Sequence, residues 1–365
     1  MPKRPRLDDA SEDALEEEVL DAISNNQSAA VAILSLTRKY NFDLTALIAR
    51  LDEQSINLSF SNVNYGQMAP NVHLDPSKEL ADAPSFELYR SRIPTTLFRD
   101  IIADINKISR FLSPIFDCLV PLFGLHIRNT PDALLEGRWA TKGRVEYQFI
   151  IFGSIISILF VESKGTPTER FNAIAQLIAE CDAGDFVNQH NKLQVPIYGI
   201  LYDGDAFEFF MFSRNTESPG QSSFFCGLLK TPVGSKDRMS LEALDGRASA
   251  LCFMRDLRLI CEIIFDLLLK SYIECLTLHY NISSKSGSKR SSLDGWDAAI
   301  KNAKGTLDMC RQADQHRAAS EWEACRAKVE SAMQMLEASV IAVPRVRLNN
   351  VLDEFTKYEA MVKQF

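Results

Sequence analysis

Residues 144–165 read RVEYQFIIFGSIISILFVESKG. Two runs rich in Ile, Val and Phe flank a Gly153–Ser154 turn, a pattern that predicts a β-hairpin. The second run ends in an acid and a base two positions apart, Glu162 and Lys164. Residues two apart in a strand share a face. Glu162 and Lys164 therefore group with Ile156, Ile158 and Phe160, and Ser163 points the other way. Charge beside an apolar surface is costly unless it is paired or has a ligand. For an isolated E-x-K the ordinary explanation is an ion pair at an exposed strand end. Three neighbours give this one more weight.

The first is Glu146, in the preceding run. Two carboxylates on adjacent strands repel unless a cation joins them, and Mg²⁺ takes oxygen ligands of this kind. The second is the segment TPTERFNAIAQLIAECDA at 166–183. Phe171, Ile174, Ala175 and Ile178 form a helical apolar stripe, and Thr168 is placed to cap it with Glu169 in the first turn. Beside that stripe runs a polar one, Asn172, Gln176 and Glu180. The third is the Gly165–Thr166–Pro167 loop, which delivers a helix start where a phosphate would be favoured. There is a register condition. Glu146 shares a face with Glu162 only if it pairs with an even-numbered residue. A three-residue turn at 152–154 sets it against Phe160; a two-residue turn, without a bulge, sets it against Val161 on the wrong face.

After the helix comes VPIYGILYDGDAFEFFMF at 195–212, two apolar strands around an Asp203–Gly204–Asp205 turn. The order is hairpin, helix, hairpin, which predicts an α/β core. An acid, a hairpin turn, E-x-K at the end of an apolar strand, then a helix carrying Gln: this order resembles the PD-(D/E)XK nuclease superfamily, and the run VESKG…AIAQLIAECDA…PIYGILYDGDAFEFFMF resembles its branch found in fungal proteins. The resemblance covers roughly residues 86–215. It implies a restriction-endonuclease-like mixed sheet flanked by helices. It also implies a metal-dependent phosphodiesterase site. Glu146 and Glu162 would hold Mg²⁺ (or Mn²⁺) with the Ser163 carbonyl, Lys164 would orient water or stabilise charge on the phosphate, and Gln176 would steady Lys164 or the phosphate. The superfamily usually has Asp at the first acidic position, where this chain has Glu146. That departure leaves room for a degenerate relative that binds nucleic acid without cutting. Asp132 is an alternative acid whose simpler role is to cap ALLEGRW, and Glu136 is a candidate for the superfamily's first-helix acid.

The chain has 365 residues, 46% hydrophobic and 24% charged, with a net charge of −8. The mix is that of a globular protein, and the acidic balance argues against an all-over basic nucleic-acid coat. None of the eight cysteines lies in a C-x-x-C pair. With no secretory leader at the start, free thiols in a reducing compartment are expected. The five histidines are scattered, and no P-loop, dinucleotide or nucleophile-elbow motif is present.

Residues 1–14 read as a basic then acidic tail, in which Lys3, Arg4 and Arg6 suit a nuclear import signal. Residues 15–85 read as N-terminal helices and a polar linker around NVNYGQMAPNVHLDPS. The stretch 86–125 reads as helix broken near Pro94 and Pro114, and 214–245 as loop-rich. The segment 248–282 reads as a covering helix whose charges, from Arg255 to Lys270, exclude a membrane span. With it, the core runs over 86–282. A Ser-rich flexible linker is expected at 283–295 and a helical segment at 296–365. The expected partner is nucleic acid, DNA ahead of RNA, and no membrane. The rival reading is a non-catalytic scaffold whose flanking helices bind a protein partner or a second copy.

Overall fold

The computed structural model describes residues 59–344 apart from 79, 107–110, 132, 141–142, 154, 163–166, 215–221, 232–233, 243–246 and 286–289. The expected tail, the helices before residue 59 and the last residues after Pro344 lie outside the described residues. Along the chain come α1 (Tyr65–Met68), β1 (Ser85–Leu88), α2 (Thr95–Ile105), α3 (Ser113–Leu119), β2 (Ile127–Asn129), β3 (Ala133–Leu135), β4 (Gly143–Val145), β5 (Tyr147–Ile151) and β6 (Ile155–Glu162). There follow α4 (Pro167–His190), β7 (Ile197–Tyr202), β8 (Ala206–Arg214), β9 (Ser222–Thr231), β10 (Gly234–Lys236), β11 (Arg238–Ser240), α5 (Arg247–Lys285), α6 (Arg290–Ala318) and α7 (Trp322–Ala342).

The protein is α/β. A mixed sheet of nine strands runs in the order β1-β9-β8-β7-β6-β5-β2, with β10 and β11 paired to β9 and β8. The expected hairpin–helix–hairpin unit is its centre. β5 and β6 are antiparallel, α4 crosses over to β7, which lies parallel to β6, and β8 returns antiparallel. A parallel neighbour needs a long crossover, and α4 supplies it. Asp203–Gly204–Asp205 makes the β7–β8 turn: Gly204 has φ +95°, and Asp203 Oδ1 accepts from the N–H of Ala206 at 2.9 Å.

Strand alternation sends side chains to two cores. On one face Leu159, Val161 and Leu201 pack beneath Ile174, Leu177 and Ile178 of α4. On the other, Phe149, Ile158, Ile200 and Phe207 pack against α5, whose residues from Ile260 to Leu276 are buried almost all round. A helix buried on every side lies between layers, and here the outer layer is the α6–α7 pair, which contributes Trp296, Ala299 and Leu336. The covering helix at 248–282 is thus found as expected, as Arg247–Lys285. Among the described residues no helix is long and apolar enough to cross a membrane. All eight cysteines are free thiols.

Four expectations need correction. Residues 59–74 are not a polar linker: Phe60, Val63, Tyr65, Met68 and Val72 are buried under α4, and Asn64 with Gln67 forms a reciprocal capping box on α1. Residues 85–88 are a strand, and Pro94 and Pro114 stand at the starts of α2 and α3 rather than breaking helices, where a missing N–H costs nothing. The span 214–245 contains β9, β10 and β11. The expected linker at 283–295 is helical at 283–285 and 290–295.

Candidate functional site

Helix α4 is held over the sheet at several points along its length. Near its start Arg170 makes a bidentate pair with Glu208 on β8, Nε to Oε1 at 2.7 Å and a terminal nitrogen to Oε2 at 2.5 Å. In its middle Leu177 sits so close on β7 that a Cβ added at Gly199 would lie 2.7 Å from a Leu177 methyl. Further along, Arg138 Nε donates to Asp182 Oδ1 at 2.8 Å and its backbone N–H donates to Oδ2, while a second arm pairs with Asp185. Near its end the Asn188 side chain accepts from Ile156 N–H at 3.0 Å and donates to Ile156 C=O at 2.7 Å. That amide takes the place of a neighbouring strand at the β6 bulge.

These fastenings fix the polar stripe of α4. It runs from solvent into the core: Asn172 is exposed, Gln176 half-buried and Glu180 fully buried, at 0% exposure. Gln176 Nε2 donates to Glu180 Oε1 at 2.8 Å, and Glu180 Oε2 has no hydrogen-bond partner. Burial raises the Glu180 carboxyl to about 8. The Gln176 hydrogen bond opposes that rise, and the charge of Glu146 adds to it. Glu146 therefore stands near enough to Glu180 for the two acids to repel. It occupies an exposed bend between β4 and β5.

The register explains why Glu146 serves this side. After the Phe152–Gly153 turn, Ile151 pairs with Ile155 and Ile150 with Ile156. A bulge then shifts the ladder, so that Phe149 faces Ile158 and Tyr147 faces Phe160. One step further sets position 146 opposite Val161, whose side chain is buried in the α4 core. Position 162 pairs with Tyr202 of β7, a residue of the α5-side core. The even-numbered pairing on which a shared Glu146–Glu162 face depended is absent from the described ladder. A bulge, foreseen as a means of bringing the two acids together, shifts the register the other way.

Glu162 is the last residue of β6. Its side chain, and Ser163 and Lys164 entirely, lie outside the described residues, as does Asp132. The segment that Asp132 was expected to cap is not a helix but strand β3, and Glu136 is exposed in the loop after it. Thr168 falls inside α4, which begins at Pro167. Of the predicted residues, then, Glu146 and Gln176 each meet Glu180, Gln176 by a hydrogen bond and Glu146 by its charge. The signal for Glu180 was present as the third member of the stripe; what spacing did not convey was that the stripe descends into the core.

Among the described residues no group of three or more His, Cys, Asp or Glu side chains is arranged to hold a metal ion. Two described acids and the strand end at Glu162 are what the site offers. When compared with known proteins, the chain matches no family model, and no curated protein matches it.

Proposed function

We propose that the protein is a metal-dependent nucleic-acid phosphodiester hydrolase, or a nucleic-acid-binding relative of one, built on a restriction-endonuclease-like core. The observation that carries this reading is the meeting of Glu146 with the buried Gln176–Glu180 pair, on the helix that follows the E-x-K strand. A fully buried carboxyl with an unpartnered oxygen beside a second acid is a costly arrangement. Sites of chemistry are where such costs accumulate.

The donor set suits a hard divalent ion. Glu146 would hold Mg²⁺ or Mn²⁺ on the α4 side of the sheet, with the unpartnered Glu180 Oε2 on that same side, while position 162 pairs with Tyr202 on the opposite face. When bound, the ion would supply Lewis acidity at phosphate and lower the pKa of a water. The chain's own groups do the rest. Gln176 holds Glu180 in place through its amide. Glu180, neutral at pH 7, keeps a proton beside Glu146. Lys164 offers a cation to the charge that develops on phosphate.

A second reading has an observation of its own. The described register separates positions 146 and 162 between the two sheet faces, which favours a degenerate site that grips nucleic acid without cutting it. A nuclease assay with Mg²⁺ or Mn²⁺ on single- and double-stranded DNA and RNA distinguishes the two. Hydrolysis is expected, with Glu146→Ala and Glu180→Gln each slower by roughly 100-fold. Activity surviving in both variants removes this site from consideration. Binding without hydrolysis selects the degenerate relative.

A further inference from the structure

One flank of α7 is lined by a groove along its whole length. Over its last two turns a cleft of about 470 Å³ separates it from the start of α2 and the turn that follows α3. The lining there is apolar: Leu97 of α2, Leu122 of the turn, and Met333, Leu336 and Val340, a stripe at steps of three and four along α7. Two exposed acids, Asp100 and Glu337, edge it, and no lysine or arginine lines it among the described residues. A second cleft of about 470 Å³ continues along α7 past Val329 and Cys325 to Trp322, and the two share Pro94 and Thr96.

Both ends of the groove carry bare apolar side chains. At one end α7 presses on the turn: a Cβ added at Gly124 would lie 2.9 Å from a Val340 methyl. The neighbours of that contact, Leu125 and Ile341, are 78% and 75% exposed. At the other end Trp322 is 61% exposed. Apolar surface gathered along a groove and rimmed by charge marks an interaction site. The chain itself supplies a segment at its mouth. Val343 is buried and Pro344 packs against Gly295 of α6, so the anchored chain stops just past Val340. Residues 345–365 then read RVRLNNVLDEFTKYEAMVKQF. In it Leu348, Val351, Phe355, Tyr358, Val362 and Phe365 recur at alternating steps of three and four, an apolar stripe of helical period. Arg345 and Arg347 precede the stripe, and their charge complements Asp100, Glu337 and the C-terminal end of α7.

We infer that residues 345–365 dock in this groove as an amphipathic helix antiparallel to α7. The span 343–347 has the length that turns one helix back along another. Leu348 is then level with Val340, and Phe355, seven residues on, is level with Met333. At about 1.5 Å per residue the stripe from Leu348 to Phe365 is roughly 25 Å long. The flank of α7 from Val340 back to Trp322 has nearly the same length, so the last apolar residue, Phe365, reaches the exposed Trp322. Anchors at this spacing are how an amphipathic helix occupies an apolar groove. The inference stands apart from the phosphodiesterase reading, since it shares no residue with that site.

Hydrogen exchange of the full chain, read by mass spectrometry, tests it. One variant, Phe355→Asp with Val362→Asp, puts two acids on the apolar stripe. The control, Thr356→Asp with Gln364→Asp, puts the same two acids off it. In the stripe variant, amides of 94–101, 120–126 and 325–341 are expected to exchange roughly 10-fold faster than in wild type, because a docked helix no longer covers them. Amides of β6 and β7 are expected to be unchanged, and the control to match wild type throughout. Light scattering at the same concentration is expected to give the mass of one chain. Three results would overturn the inference: wild-type exchange along the groove in the stripe variant, equally fast exchange in the control, or a dimeric wild type that the stripe variant turns into a monomer, which would assign the groove to a second copy.

Discussion

Glu180 is the residue on which the site's physics concentrates. Its folded pKa is about 8, against an ordinary 4.5, because burial penalises the charged form. Below about pH 4.5 both folded and unfolded chains hold this proton, and the neutral form costs nothing. As pH rises toward 8 the unfolded chain ionises freely and the folded chain does not, so stability is lost across that window. Glu180→Gln stays neutral at every pH and retains an acceptor for Gln176. With EDTA present, urea unfolding is expected to show the variant roughly 2–4 kcal/mol more stable than wild type at pH 8 and equal to it near pH 4.5. Identical pH profiles would mean that Glu180 is not buried as described. At this scale the sequence is half legible. Gln176 and Glu146 stand out by type and order alone. Which acid Glu146 meets depends on one bulge near Ser157, and nothing in IISILFVE marks where an extra residue enters a uniformly apolar strand.

Among the elements, α4 does most of the positioning, and its contacts make two expectations. Asn188→Ala would leave the N–H and C=O of Ile156 without the side chain that pairs them. A loss of about 2–4 kcal/mol is expected in chemical denaturation, since two buried backbone groups lose a partner. Gly199→Ala would drive a methyl into Leu177, which is fully buried and has little room to retreat. Overpacking of this kind costs about 1–3 kcal/mol. A Gly199→Ala protein as stable as wild type would show that α4 does not press on β7 as described. The hairpin–helix–hairpin unit is legible because its apolar period switches from two to 3.6 and back. β9 is not: SSFFCGLLKT doubles its apolar residues, contains Gly227 and does not alternate. Nor are the turns at 59–74, where Phe60, Val63, Tyr65 and Met68 are spaced by three, two and three among polar residues, so no single period emerges.

For the whole molecule, the sheet divides two cores of different character. The α4 side carries the candidate acid site; the α5 side is a thick helical layer joined to the sheet edge by buried charge. Glu262, fully buried, is the acceptor for Arg90, Arg92 and Arg258. Removing it leaves Arg92 buried, and Arg90 and Arg258 half-buried, without this acid, and Glu262→Ala is expected to cost about 3–5 kcal/mol in thermal or urea unfolding. A near-neutral result would show that these arginines find other partners. The charges within 248–282 mark that segment in the sequence as unfit for a membrane. Their mutual pairing with Arg90 and Arg92, far away along the chain, is a tertiary fact that no local pattern carries.

The central claim is that the acids on the α4 side of the sheet, Glu146 and the mid-helix Glu180, bind a divalent ion. Isothermal titration of the full chain with Mn²⁺ tests it without requiring a substrate. One site is expected in the wild type, weakened at least 10-fold by Glu146→Gln and by Glu180→Gln, with Glu146→Gln melting as the wild type does. Absence of uptake at millimolar Mn²⁺, or equal binding in wild type and both variants, would contradict it.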